Sequence, residues 1–251
     1  MSRPAPPADL AVVFGSGLAL VPDGAEVLDD IGYDELGWPV TAVTGHPSRL
    51  LLVRWAPDGR TTLRTLLAWG RAHLYEGWTG AELERPIDGL ADAGVRTVLL
   101  INAVGALEPS LAAGQAVLVT DVVDLQHEPH DRPPVLPVVS TVAATRLGAA
   151  TGAKLPLRTG RYVAVPGPQY ETPTEAAWLC ACGEVVGMSG ASEVRAARRR
   201  GLDVCMLSIV ANAAGASLEH DDVVATGRRH GTSLAAGLSA LAAALTERAP
   251  A

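Results

Sequence analysis

The first apolar stretch, Leu10–Phe14, is a short continuous run that breaks into Gly15-Ser16-Gly17, and it predicts a buried strand opening into a loop. Val95–Asn102, Val117–Leu125 and Val204–Val210 are similar runs without alternation, as strands covered on both faces require. Leu50–Trp55 and Thr61–Leu67 flank Pro57-Asp58-Gly59, a good turn sequence, and predict a strand pair. Short strands follow at Tyr162–Val165 and Val185–Met188. Helical spacing covers Glu82–Ala93, with Gly94 as its C′ residue and Pro86 placed in the first turn. Further helices are expected at Ser140–Thr151, at Thr174–Cys182 stopped by Gly183, and at Ser192–Arg200 stopped by Gly201. A long Ala-rich helix, capped by Asp221 or Asp222, closes the chain. The segment His127–Pro137 holds four prolines and no periodicity, so it reads as a loop.

Strands alternate with helices, with no repeat and no linker. The expected fold class is α/β: one domain over residues 10–248 with a mixed central sheet flanked by helices. Residues 1–9, with three prolines, read as a flexible lead-in.

Composition narrows this further. A chain of 251 residues that is 48% hydrophobic can bury a large core, and a single Phe makes that core mostly Ala, Val and Leu. A net charge of −7 argues against a nucleic-acid or anionic-membrane partner. Lys154 is the only lysine, which disfavours Schiff-base chemistry. Cys180, Cys182 and Cys205 form no C-x-x-C pair and lie in apolar segments, so buried structural thiols are expected. No leader pattern precedes the first strand and no apolar run reaches a membrane span; a soluble, cytoplasmic protein is the expectation.

Candidate chemistry gathers at the strand ends, where α/β folds bind ligands. In Gly70–Gly77, an extended backbone would project Arg71, His73 and Tyr75 from one side, spaced by roughly 6.5 Å. A cation, an imidazole and a phenol in a row suit an oxyanion beside a hydroxyl-bearing substrate, or else form only a solvated strand edge. Ser16 sits between two glycines that let backbone N–H groups turn toward an anion, or simply make a turn. Thr44-Gly45-His46 offers an imidazole before a proline. Asn102-Ala103 ends an apolar strand with small residues that permit close approach or tight packing. Tyr170-Glu171-Thr172 sets a carboxylate beside an aromatic ring, as a heterocycle site would. Thr172 and Glu175 also have the spacing of a capping box, and both readings can hold together. Ser189 and Asn212 each close a strand. Arg198-Arg199-Arg200 reads as a solvated helix terminus. His127 and His130 could suggest a metal pair, but no third ligand lies near in sequence, so no metal is expected.

Taken together these segments resemble the trimeric, low-molecular-mass purine nucleoside phosphorylase family. The matching stretches run in the family's order: Gly15–Leu18, Thr44–His46, Gly70–Gly77, Asn102–Gly105, Gly167–Thr172, Val186–Ser189 with Glu193-Val194, and Ser208–Asn212. The resemblance implies a phosphate site of Ser16, His46, Arg71, His73, the Ala103 amide and Ser189. It places Tyr75, Met188 and His220 at the ribose, with Tyr170, Glu171 and Asn212 at the base. Glu171, Asn212 and His73 are the catalytic set it implies.

The implied reaction is phosphorolysis of a purine nucleoside by inorganic phosphate, with no cofactor, in a homotrimer. Arg71 suits phosphate because its planar fork binds two oxygens at once. Asn at 212 favours inosine or guanosine, whereas related methylthioadenosine phosphorylases typically have Asp there. Two departures stand out. Gln126–Val139 is shorter than the family's usual insertion and lacks its Phe, and Gly190-Ala191-Ser192 replaces Thr-Val-Pro before Glu193. The alternatives are a phosphorylase of 5′-modified nucleosides such as methylthioinosine, or a nucleoside-binding homologue without catalysis.

Overall fold

β1 (Leu10–Phe14) is buried along its whole length, with β4 (Leu63–Trp69) parallel on one side and β5 (Thr97–Ala106) parallel on the other. This comes from a computed structural model, which describes residues 2–126, 135–138, 148, 149, 151, 157–216, 225 and 231–246. Among the described residues ten strands form one mixed sheet. Beyond β4 it continues antiparallel through β3 (Arg49–Trp55) to β2 (Glu26–Gly32) at the edge.

On its other side β5 pairs with two strands, β10 (Asp203–Ala213) in parallel and β9 (Val185–Gly187) antiparallel. β9 joins β8 (Leu157–Ala164), β8 joins β6 (Ala116–Asp124), and β6 returns to β10. These five strands therefore close into a ring, and β1 to β4 form an open wing attached to it through β5. β7 (Val135–Pro137) adds to β6, so the end of the expected loop 127–137 is a strand.

Apolar runs made this arrangement possible. β1, β5 and β10 have helices over both faces, and their Val, Leu and Ile side chains divide between two core layers. One layer packs under α1 (Gly80–Asp92) and α3 (Ala191–Arg199). The other packs under α4 (Gly231–Thr246), whose Leu234, Leu238 and Leu241 recur at helical spacing. A further helix, α2 (Pro173–Leu179), follows the Tyr170-Glu171 segment.

Several expectations need correction. Thr79 and Glu82 form a capping box that starts α1 earlier than expected, so Pro86 falls in the helix interior rather than in its first turn. Gly94 does take the left-handed C′ conformation, with φ 87°. The acidic segment Glu26–Gly32 is a strand that hydrophobic patterning missed. Residues 2–9 lie against the domain: Arg3 N–H donates to Glu35, Ala8 N–H to Ala93 and Asp9 N–H to Arg64, all to carbonyls.

Arg199 and Arg200 are not simply solvated, since they pair with Glu84, Asp88 and Asp92 of α1. Arg198 donates to the Pro137 carbonyl at 2.7 Å. Cys205 is buried as expected and its thiol is pushed up to about 12 by burial, but Cys180 is exposed just beyond α2. The Ser140–Thr151 helix lies almost wholly outside the described residues, as do Asp221, Asp222, His127, His130 and Lys154. Among the described residues no helix is long and apolar enough to cross a membrane.

Candidate active site

A cleft opens at the ends of β1, β5, β9 and β10. Ser16, His46, His73, Tyr75, Ala103, Tyr170, Glu171, Met188, Ser189 and Asn212 all line it. The sequence-predicted residues thus converge on one site from seven separated segments. Arg71 does not join the lining and stands behind the wall, while His220 lies outside the described residues.

The run Gly70–Gly77 differs from the extended strand edge expected of it. Gly70 has φ 96°, and a Cβ there would lie 2.9 Å from the His46 Cβ, so only glycine fits. Leu74–Glu76 then forms a single 3-10 turn. The His73 backbone N–H donates to Glu76 Oε1 at 2.8 Å, closing that turn as a capping box does. His73 and Tyr75 consequently stack face to face, their ring centroids 4.8 Å apart, instead of following each other along a strand.

Arg71 turns away from the cleft and is only 6% exposed. Nη1 donates to the Ile101 carbonyl at 2.9 Å and Nη2 to the Val13 carbonyl at 3.3 Å. Nε and Glu193 Oε1 are 2.8 Å apart but poorly aligned for a hydrogen bond, so this contact is an ion pair by distance. The fork expected to clasp an anion from the front is here anchored to the backbone of β1 and β5. It remains close, because a Cβ on Gly15, which lines the cleft, would sit 3.0 Å from Nη1.

The hydrogen bonds assign the two imidazoles opposite tautomers. The Arg71 backbone N–H donates to His46 Nδ1 at 2.8 Å, which makes Nδ1 an acceptor and puts the proton on Nε2. That Nε2–H faces Ser16 Oγ at 2.6 Å, which frees the Ser16 hydroxyl proton for a ligand. His73 is the reverse, with Nδ1 at 3.2 Å from the Glu76 carboxylate and so carrying the proton. Glu76 is itself held by Thr41 Oγ1 at 2.6 Å. Burial pushes this carboxyl up, but hydrogen bonds from His73 and Thr41 outweigh it and hold the group at about 2. It is therefore a fixed acceptor.

Ser189 is set from below by Tyr162, whose hydroxyl donates to the Ser189 carbonyl at 2.6 Å. Burial raises the Tyr162 phenol, keeping it a donor. At the other end of the cleft Thr172 and Glu175 do form the expected capping box, which leaves Glu171 as the carboxylate facing inward. Burial, with help from the nearby Glu175, raises Glu171 above the usual carboxylate range. A register shift between Val210 and Asn212 brings Asn212 opposite Gly105 at the rim. Its side-chain N–H₂ rests on the Ala213 carbonyl at 2.7 Å.

The sequence singled out Asn102-Ala103 as a strand end but gave the Asn102 side chain no role in the site. It accepts from Ser208 Oγ at 2.8 Å, lines the cleft, and its side-chain nitrogen has no hydrogen-bond partner. Glu76 was also missed. Its spacing of three after His73 was the available signal, obscured because His is not a usual cap residue.

One end of this cleft presents hydroxyl and imidazole groups and the other a half-buried carboxylate beside a tyrosine: a site for an anion and a heterocycle held side by side. Residues 61–243 match the family described as the phosphorylase superfamily. A purine nucleoside phosphorylase of Mycobacterium leprae is 34% identical over 233 residues, covering 87% of this chain and 83% of its own. One from Cellulomonas sp. is 33% identical, over 93% of this chain and 86% of its own. A Schistosoma purine nucleoside phosphorylase crystallised with guanosine superposes with a TM-score of 0.77 at 25% identity, covering 96% of this chain and 91% of that one. The chain belongs to the phosphorylase superfamily and, within it, to the purine nucleoside phosphorylase family.

Proposed function

We propose that the protein catalyses the reversible phosphorolysis of 6-oxopurine nucleosides and deoxynucleosides, inosine and guanosine among them, to free base and (deoxy)ribose 1-phosphate. One observation carries this reading: a single cleft is lined both by Ser16, His46, His73 and Ser189 and by Tyr170, Glu171 and Asn212. Related Schistosoma enzymes crystallised with guanosine and inosine support it.

Phosphate seated between Ser16, His73, Ser189 and the Ala103 amide approaches C1′ from the face opposite the base. The C1′–N9 bond breaks with its electron pair passing into the purine, and a phosphate oxygen forms the new bond to C1′ with inversion. Ser16 donates its freed proton to phosphate, with His46 as the strut behind it. Arg71 contributes its field from behind Gly15. Glu171 accepts N1–H, while Asn212 meets O6 and N7 as N7 takes up a proton, so the growing negative charge is stabilised where it develops. Tyr75 and Met188 hold the ribose, with His220 at its 5′ side by family resemblance. The atom balance closes with inorganic phosphate as co-substrate. A homotrimer in the cytoplasm, again by resemblance, completes the proposal, and light scattering tests its assembly.

The deciding assay follows base release from inosine, guanosine, adenosine and methylthioinosine, with and without phosphate. Phosphate-dependent release led by inosine or guanosine is expected. A lead for methylthioinosine would shift the reading to 5′-modified nucleosides. Binding without turnover of any of the four would overturn the enzyme reading, and turnover independent of phosphate would make the protein a hydrolase.

A further inference from the structure

Gln126 lies just beyond β6 and does not line the cleft. Its side-chain nitrogen donates to the Val165 carbonyl at 3.1 Å and to the Met188 carbonyl at 2.9 Å. Those carbonyls belong to two chains that have just stopped pairing. The β8–β9 ladder ends at Ala164 opposite Gly187, and one further bond runs from Val165 N–H to the Gly187 carbonyl at 2.9 Å. Past that point the Gln126 amide serves as the missing rung. A primary amide suits the task because one trigonal nitrogen carries two donors.

Gln126 is itself seated from behind. Its backbone N–H donates to Asp124 Oδ1 at 3.0 Å, and Asp124 Oδ2 meets Arg195 Nη1 at 2.6 Å. The Asp124 side chain is fully buried and paired with that guanidinium. Arg195 reaches on to Glu84 of α1 at 2.9 Å. A chain of fixed charges thus runs from the α1–α3 face to the underside of Met188.

The supported segment is the one that shapes the sugar end of the cleft. The position a Cβ on Gly167 would take lies 2.5 Å from Met188 Sδ and 3.0 Å from Tyr75 Cδ1, so these three residues meet at one point. Moving the Met188 main chain would move that wall. The Ser16–His46–Arg71 arm hangs from other strands and would stay in place. Ser189, although next to Met188, has its own anchor in the Tyr162 hydroxyl, which donates to its carbonyl at 2.6 Å and accepts from its N–H at 3.2 Å.

We propose that Gln126, seated by Asp124 and Arg195, is a positioning residue for nucleoside binding: it sets affinity for the sugar and base while leaving phosphate affinity unchanged. This rests on the assignment of Met188 and Tyr75 to the nucleoside. Gln126→Leu removes both donors, and Gln126→Met does so with a side chain of similar length should the first fail to fold. The KM for inosine is expected to rise about tenfold, with the phosphate KM within about twofold of wild type. Calorimetric titration of inosine into the folded variants should show the same tenfold weakening. Equal increases in both KM values, or an unchanged inosine affinity, would overturn the proposal. Wild-type turnover tests the assigned reaction separately, and the variant-to-wild-type ratio of inosine dissociation constants tests Gln126 even without turnover.

Discussion

Glu193→Gln probes the least expected feature of the site, the Arg71 guanidinium that is anchored behind the anion end. Arg71 and Glu193 are 6% and 8% exposed, with Nε and Oε1 2.8 Å apart. At that distance and an effective dielectric near 20, their attraction is about 6 kcal/mol before desolvation is counted. Removing one partner of a buried pair typically costs about 3–5 kcal/mol, because the other charge stays buried. The Ile101 and Val13 carbonyls still solvate part of the guanidinium, so the lower end, about 3 kcal/mol, is expected. The substituted amide can still accept from the Gly190 N–H now bound to Glu193 Oε2 at 2.9 Å, which isolates the effect of the charge.

A buried cation without its counterion attracts another anion. Phosphate in the cleft should therefore stabilise the variant more than the wild type, and each tenfold gain in its affinity adds about 1.4 kcal/mol at saturation. Urea unfolding of both proteins, with phosphate or with chloride at matched ionic strength, reads the two quantities together. A variant within about 1 kcal/mol of wild type would show the pair to be energetically idle. Equal phosphate increments in the two proteins would show that the guanidinium is not felt at the anion end, and the assignment of Arg71 to phosphate would fall.

Glu171 must be ionised to accept N1–H, and burial raises its pKa. The kcat/KM for inosine should therefore fall on acidification at a higher pH than an ordinary carboxylate would produce, and Glu171→Gln should abolish that limb of the pH profile. Glu76 titrates at about 2 in the folded protein against 4.5 for the free side chain, so its contribution to stability is full above 4.5 and is lost as pH falls toward 2. Glu76→Gln should flatten the acid dependence of the urea midpoint across that window, and an unchanged slope would refute the role given to Glu76. Asn212→Asp should raise the adenosine-to-inosine ratio of kcat/KM by at least about tenfold, since a carboxylate accepts from a 6-amino group and repels O6. An unaltered ratio would place Asn212 away from the base edge.

Legibility followed burial. β1, β5 and β10 could be read because strands covered on both faces need unbroken apolar runs. β2 could not, because only Ile31 of its residues is buried and its acidic side chains pair with Arg49 and Arg54 of β3. No local pattern distinguishes such an edge strand from a loop. The site followed the same division. Residues that end strands and face the cleft stood out by type and place. Those that act from behind, Glu76, Gln126 and the Arg195–Asp124 pair, are polar residues in ordinary-looking sequence, and their partners lie across the fold.

Arg71 shows why the difference matters for mechanism. Residue type alone suggested a cation reaching into the anion site. Instead its backbone N–H orients His46, His46 orients Ser16, and its guanidinium joins β1 and β5 to the start of α3 through Glu193. Arg71→Lys would keep the backbone bond to His46 and a positive charge, but one ammonium cannot span Ile101, Val13 and Glu193 as the planar guanidinium does. If the geometry of that span organises the anion end, the lysine variant should lose phosphate affinity despite its retained charge. If charge alone matters, the loss should be absent.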